Sequence, residues 1–323
     1  MIKKIYEDIY MIEVELPNNP LKALNSYVIK DKDRSLVIDT GFNREECSQA
    51  FLNGLNKLEI NIKDADLYIT HLHADHSGLA ELFVDAGSNI YISKTDGIIL
   101  NKLAEGYFEK RLQVLKILYD LEEYNVKLEE NPGYKYSIKK AIDFNYMEEG
   151  DILKVGKYSL QTILTPGHTP GHMCLYESQH KLFFGGDHIL DKITPNIGFW
   201  GFKEDMLGLY FKSLDKIYDY DIDYLFTSHR NIVRKHKKRI KELLIHHEER
   251  LKEILEILKE GQLTVSQVAK RMDWNIRARG WEDFPSPQKW FASEEAMSHL
   301  EHLYNQKKII KKFKDGKLYY ELK

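Results

Sequence analysis

Three histidines and an aspartate stand within six consecutive residues, in the run HLHADH that spans His71, His73, Asp75 and His76. Imidazole nitrogens and carboxylate oxygens are ligands for zinc and for manganese, iron or cobalt. A polar loop is the competing reading, and a lone histidine after a strand is usually just that. The pattern does not stand alone. His168 lies in TPGHTPGH, Asp187 in FFGGDH and His229 in LFTSHR. Each follows an apolar β-rich run, so all seven side chains are expected on one rim of a sheet. Seven ligands exceed what one tetrahedral ion uses. They suit two divalent cations roughly 3.5–4 Å apart, bridged by a carboxylate and a hydroxide. His71 and His73 are two residues apart and project the same way from an extended segment. Asp75 and His76, in the turn before a helix, then face a second ion.

The elements that must position these residues are legible as runs. IYMIEVEL, NSYVIKD and SLVIDTG read as early strands, with turns at LPNNPLK and KDKDR. Residues 43 to 58 have amphipathic helical spacing. DLYIT is an apolar strand feeding HLHADH, followed by a helix that Gly87 ends and by the strand NIYISK. Residues 97 to 130 interrupt the strands with a long, charged, helical segment. Strand patterns return over Tyr146 to Gly167, and KLFFGGD and YLFTSH follow. Asn231 to Glu260 reads as one long amphipathic helix, with Ile240, Leu243, Leu244, Leu251, Ile254, Leu255 and Leu258 on its apolar stripe. LTVSQVAKRM and EEAMSHLEHLYNQKKI read as two helices, and IKKFKDGKLYYEL as a hairpin turning at Asp315-Gly316. This gives a catalytic unit over 1–232, a linking helix over 233–260 and a winged-helix-like unit over 261–323.

The chain has 323 residues, 43% hydrophobic and 30% charged, which is globular composition. A net charge of -3 gives no reason to expect a nucleic-acid or membrane surface over the whole molecule. Cys47 and Cys174 form no CxxC pair, so neither a disulfide framework nor a thiolate site is implied; Cys174 reads as a small core residue. The N-terminal stretch is interrupted by Glu7, Asp8, Glu13 and Glu15, and no apolar run approaches the roughly 18 residues of a membrane span. A cytoplasmic protein without a membrane partner is the expectation.

HLHADH resembles the HxHxDH signature of the metallo-β-lactamase superfamily, and His168, Asp187 and His229 continue the resemblance in order over residues 1 to 232. Asp39 in LVIDTG matches the acidic residue that ends an early strand there. The resemblance implies an α+β fold, an αββα sandwich with the metal site along one edge. It implies that His71, His73 and His168 hold one ion, that Asp75, His76 and His229 hold the other, and that Asp187 bridges them. The C-terminal unit resembles the winged-helix extension of the lactamase-β-2-like branch. Members of that branch are thioester hydrolases of the glyoxalase-II type, lactonases or endoribonucleases. The 97–130 segment departs from the bare sandwich.

The activity expected is hydrolysis of a small-molecule thioester or other ester-like substrate by a metal-activated hydroxide. Asp75 orients the hydroxide, and Asp39 fixes a ligand histidine. Zinc is the first choice of cation, with iron and manganese accepted by the same donors. A lactonase and an endoribonuclease or phosphodiesterase are the alternatives. RKHKKRIKE (234 to 242) and RARGW (277 to 281) invite nucleic acid, but Glu248, Glu249, Glu253 and Glu256 break the basic stripe, and a solvated helix face is favoured. A regulatory DNA-binding protein is disfavoured by the full ligand set, and a redox di-iron role by His73. His172 and His188 are left out of the ligand set. Tyr107, Phe108, Tyr119 and Tyr124, with NIGFWGF (196 to 202), read equally as a lid over the site or as a packing face. The 97–130 segment and the C-terminal unit both offer surfaces for a homodimer.

Overall fold

The computed structural model describes residues 1–274 and 279–323, so Arg277 and Ala278 of the basic patch RARGW lie outside the described residues. Two sheets form the centre. The first runs in chain order through β1 (Ile2–Tyr6), β2 (Ile9–Glu15), β3 (Ala23–Ile29), β4 (Ser35–Ile38), β5 (Ala65–Ile69), β6 (Ile90–Ser93) and β7 (Asn145–Met147). The second is ordered β12-β11-β10-β9-β8, from β8 (Ile152–Val155), β9 (Tyr158–Leu164), β10 (Met173–Glu177), β11 (Leu182–Gly186) and β12 (Tyr224–Thr227).

Strand direction decides where the polar residues go. β4, β5, β6 and β7 are parallel, so their C-terminal ends share one edge. Asp39 leaves β4 there and Thr70 to His76 leave β5. β11 and β12 are also parallel, so Asp187 and His229 emerge together from the second sheet. Parallel pairs need crossovers. α1 (Glu45–Lys57), then α2 (Ala74–Ser77) and α3 (Ala80–Asp85), supply the first two.

Period-two alternation sorts the strand side chains. Phe184 joins Tyr27, Ile38, Tyr68, Leu175 and Phe226 between the sheets. Its neighbour Phe183 faces outward onto α7 (Met206–Tyr218) and α8 (His236–Ile257) with Leu214, Ile240 and Leu243. Phe51, Leu55 and Phe83 cover the other outer face. The result is the α+β sandwich with helices outside both sheets. Among the described residues no helix is long and apolar enough to cross a membrane.

The helical insertion is wider than its sequence period indicated. α4 (Lys94–Lys102) starts early because the Ser93 hydroxyl accepts the Asp96 amide as its cap. A wide turn over Leu103–Tyr107, with Gly106 at φ 95°, separates it from α5 (Phe108–Leu118). Short turns lead to α6 (Pro132–Tyr136). The long helix α8 also starts later than its pattern suggested. Val233 exchanges two backbone hydrogen bonds with Leu225 at 2.9 and 3.0 Å, which holds the preceding segment extended against the second sheet.

Beyond α8, Gly261 turns the chain at φ 121° into β13 (Leu263–Thr264), α9 (Val265–Arg271) and α10 (Ser286–Asn305). α10 begins well before Glu294 because Pro287 sits in its first turn, where a missing N–H costs nothing. β14 (Ile309–Lys314) and β15 (Lys317–Leu322) form the hairpin, turning through Asp315 at φ 50° and Gly316 at φ 78°. β13, which the sequence pattern did not mark, pairs with β15 to complete a three-stranded sheet.

The insertion packs on this C-terminal region. Tyr119 meets Trp290 at 6.2 Å and Tyr124 meets Trp281 at 5.8 Å between ring centroids. Asp120 accepts hydrogen bonds from Thr264 Oγ1 at 2.8 Å and Ser266 Oγ at 3.2 Å, and pairs with Lys317 at 2.8 Å. Asp120→Ala leaves those donors without their acceptor and places alanine at φ 57°. A loss of about 2–3 kcal/mol is expected in urea unfolding. A loss below about 0.5 kcal/mol would assign the docking to the aromatic contacts alone.

Candidate metal centre

The seven residues singled out from the sequence converge at the shared edge of the sheets. His71 and His73 leave β5, and His73 is the N-cap of α2, which carries Asp75 and His76. These two therefore sit in a short helix of their own, not in a turn before one. His71 Nε2 lies 3.1 Å from His73 Nδ1 and 3.2 Å from His168 Nε2. Nitrogens bound tetrahedrally to one zinc at about 2.0 Å stand roughly 3.3 Å apart, so this trio has ligand spacing. On the other side, Asp75 Oδ2 is 3.4 Å from His229 Nε2 and 3.8 Å from His76 Nε2. Asp187 stands between. Its Oδ2 faces His168 Nε2 at 3.7 Å, and its Oδ1 faces both His76 Nε2 and His229 Nε2 at 3.6 Å.

Hydrogen bonds fix which imidazole nitrogens face inward. His229 Nδ1 donates to the Ala23 carbonyl at 2.8 Å and His168 Nδ1 to the Asn196 carbonyl at 2.6 Å. His76 Nδ1 donates to Asp39 Oδ2 at 2.7 Å. Thr70 Oγ1 donates to the same carboxylate at 2.8 Å, so its oxygen is free to accept His71 Nδ1–H at 3.0 Å. All four Nδ1 atoms therefore carry their proton outward and all four Nε2 atoms face inward, the arrangement of metal-ligating histidines. His76 Nε2, His229 Nε2 and Asp187 Oδ1 are buried with no hydrogen-bond partner in the described structure. Buried orphans of this kind call for a ligand, and the donor set fits a divalent cation.

Burial opposes a charge on His76 and His229. The carboxylates of Asp39, Asp187 and Asp75 around His76, and of Asp187 and Asp75 around His229, outweigh it and raise both above the usual imidazole value, so a cation would have to displace their protons. Burial holds the His71 imidazole well below its usual value, with His76 and His168 adding to the effect, so it is a neutral donor. Burial pushes the Asp75 carboxyl up, but His76 and His229 outweigh it and bring it down to about 2. Burial likewise opposes ionisation of Asp187, and His229 and His76 beside it hold it well below the carboxylate range.

One supporting residue carried no sequence signal of its own. Asp96, fully buried at the start of α4, accepts the Leu72 amide at 3.0 Å, Thr169 Oγ1 at 2.6 Å and the Gly171 amide at 2.6 Å. It ties the HLHADH segment to the loop that carries His168. Burial pushes its carboxyl up to about 6 against the pull of those donors. His172, left out of the ligand set, lies beneath the site: its Nε2 accepts the Asp187 amide at 3.1 Å and its Nδ1 meets Thr165 Oγ1 at 2.8 Å. Gly186 makes that approach feasible, since a Cβ there would stand 2.6 Å from His172 Nε2 and the backbone φ is +51°. His188 is buried but turns away onto Tyr210, 5.4 Å between rings.

Trp200 stacks on His73 at 6.5 Å, and Arg111 of α5 lies 4.6 Å over Trp200 while donating to the Phe199 carbonyl at 2.6 Å. The 196–202 loop thus walls the site, and the insertion braces it from behind. Tyr107 is exposed, while Tyr119 is fully buried against Phe199 and Trp290.

A family model described as the metallo-beta-lactamase superfamily matches residues 21–229 and so includes every one of the seven residues. The chain belongs to the metallo-beta-lactamase superfamily. Membership and the buried donor set make it a metal-dependent hydrolase. It is similar to a beta-lactamase-like protein 2 homolog of Caenorhabditis elegans, 26% identical over 81% of this chain and 77% of that one. It is 23% identical to a probable metallo-hydrolase of Bacillus subtilis over 82% of this chain and 85% of that one. A chicken acyl-coenzyme A thioesterase is 24% identical over 52% of this chain and 58% of its own length. Among solved structures, a metallo-beta-lactamase family protein of Thermus thermophilus superposes with a TM-score of 0.81 at 22% identity, covering 99% of this chain and 100% of that one. At that identity the likeness speaks to the fold alone.

Proposed function

We propose that this chain is a dinuclear metal hydrolase acting on thioesters. His71, His73 and His168 hold one cation, Asp75, His76 and His229 hold the other, and Asp187 serves both. Zinc suits this N/O donor set, with iron and manganese as substitutes. Residues 1–232 form the catalytic unit, 233–260 the linking helix and 261–323 a winged-helix-like unit. The observation that carries the two-cation reading is the stance of Asp187, whose two oxygens face two different groups of imidazole nitrogens. Thioesters are preferred because three relatives are named as thioesterases, two as acyl-coenzyme A thioesterases and one as an atrochrysone carboxyl ACP thioesterase.

Bound cations would lower the pKa of a water and polarise the scissile carbonyl. The chain's own groups do the rest. Asp75, ionised between His76 and His229, would accept a hydrogen bond from the attacking water and hold it in line. Asp39 and Thr70 keep the proton of His76 and His71 on Nδ1. Trp200 and its neighbours exclude water from one side and give the acyl chain an apolar wall. Two residues of the basic run at 234–242 are held by the fold: Arg239 donates to the Leu190 and Ile193 carbonyls, and Arg234 stacks 3.4 Å over Tyr224.

The test is thiol release from a panel of acyl-CoA and acyl-glutathione thioesters after defined metal loading, comparing the native chain with His76→Ala. Turnover that chelation removes, that zinc restores and that the variant lacks is the expected result. Full metal loading of the sheet edge without thiol release would overturn the thioester reading and direct the search to lactones and RNA. A single metal per fully active chain would overturn the dinuclear one.

A further inference from the structure

A second cluster of metal-binding side chains lies far from the sheet edge, at the seam between α8 and α10. His246 and His247 of α8 and Glu295 of α10 each offer a ligand atom, all within 4.8 Å of one another. His247 is fully buried and Glu295 is nearly so.

The tautomers follow from the hydrogen bonds. His299 Nδ1 stands 2.8 Å from the Glu295 backbone carbonyl, which only accepts, so the His299 proton is on Nδ1. His299 Nε2 is then a lone pair, and it lies 3.1 Å from His247 Nδ1. His247 must donate there, which leaves its Nε2 as a bare lone pair. That atom is buried without a partner, and so is His246 Nε2. His247, with its Nδ1–H anchored and its Nε2 bare and buried, has the tautomer of a metal-ligating imidazole. Burial holds both imidazoles below their usual values, so both are neutral donors near pH 7.

The nearby cation does not fill the role. Arg250 follows one turn along α8, but its Nη1 donates to Glu253 at 2.9 Å and to the Asp273 carbonyl, and its guanidinium lies 4.4 Å over Trp274. It makes no hydrogen bond to Glu295, whose carboxyl burial pushes up to about 7 against the pull of the Arg250 charge, and its Nε is itself buried without a partner among the described residues.

We propose that His246, His247 and Glu295 form an additional, structural metal site for a zinc-class divalent cation, with water completing a tetrahedral set. Two imidazoles and a carboxylate suit zinc, and nickel or cobalt compete for the same donors. The cation would cross-link α8 to α10. α10 in turn backs the catalytic edge, because its Phe291 carbonyl accepts Asn196 Nδ2 at 3.1 Å and Asn196 holds His168.

The test uses the full chain, stripped with chelator and dialysed against zinc, with bound zinc measured per chain by emission spectrometry. His246→Ala and Glu295→Gln are each expected to carry one zinc fewer than the native chain, whatever the catalytic edge holds. His246 is only partly buried, so its truncation leaves the core largely filled. The melting temperature of the native chain should rise with free zinc by more than that of either variant. Either variant retaining the native zinc content would overturn the site, and a count lowered in both with circular dichroism unchanged would establish it. The count is independent of the substrate, so failure of the thioester reading leaves this test intact.

Discussion

Asp187→Ala is expected to lower kcat/KM by about 10³-fold or more and to lower bound metal by at least one ion per chain. Loss of a group that merely orients a ligand typically costs about 10- to 100-fold, and loss of one preorganised polar contact at the reacting centre about 10²- to 10³-fold. Asp187 is asked to do more than either. It leaves β11 at Gly186, its amide is held by His172, and its two oxygens face His168 on one side and His76 with His229 on the other. Alanine removes the negative charge from between two groups of imidazoles and leaves them nothing to share. Asp187→Asn is the sharper companion, because it keeps the shape and loses the charge. Both variants should unfold cooperatively when metal-free, and the zinc-dependent rise in melting temperature should shrink in each. A variant that keeps its full metal content and a tenth of native turnover would show that Asp187 does not join the two groups.

What the sequence made legible depends on range. HLHADH is local: a strand with period two ends, and its polar residues must emerge beside one another. Asp187 and His229 were legible for the same reason, since each terminates a short apolar run that can only be a buried strand. That β11 and β12 are parallel, and so bring both to one edge, is a property of the assembled sheet. Asp96 shows the limit. Its acceptance of the Leu72 amide spans 24 residues and its grip on Gly171 spans 75, and nothing in the tripeptide around it marks a buried carboxylate. His172 is similar, because TPGHTPGH offers two equivalent histidines and only the fold turns the second one under Asp187.

Helix ends erred for local reasons that periodicity does not see. The apolar stripe of α8 extends back to Asn231, but Val233 is taken by a strand pairing with Leu225. The stripe of α10 begins late, but Pro287 starts the helix earlier. The insertion was read as equally a lid or a packing face. The structure places Arg111 behind Trp200 and Tyr119 and Tyr124 against the C-terminal region, so one segment braces the wall of the site and docks the last part of the chain.

Asp39→Asn tests whether histidine tautomers are set from behind. Asp39 is 1% exposed and sits at φ 60°, a left-handed conformation that aspartate and asparagine tolerate and most residues do not. Its Oδ1 accepts the Thr70 amide at 2.8 Å. Its Oδ2 accepts Thr70 Oγ1 at 2.8 Å and His76 Nδ1 at 2.7 Å, with Ser228 Oγ at 3.4 Å. Asparagine keeps the backbone conformation and one oxygen for the amide. It puts an NH₂ group where three donors now point. The cheapest relief is for His76 to move its proton to Nε2, the atom that faces Asp75 and Asp187, and for Thr70 to reverse and release His71. Metal affinity should then fall by about 10- to 100-fold. Asp39→Ala should behave differently, losing about 3–5 kcal/mol of stability as well, because it strips a buried charge from its partner and places alanine in the left-handed region. Zinc titration and urea unfolding of both variants separate the two effects. Native zinc affinity in Asp39→Asn would mean that His76 keeps its tautomer without the carboxylate. The inward lone pairs would then be set by the cations themselves and not by the ring of acceptors behind them.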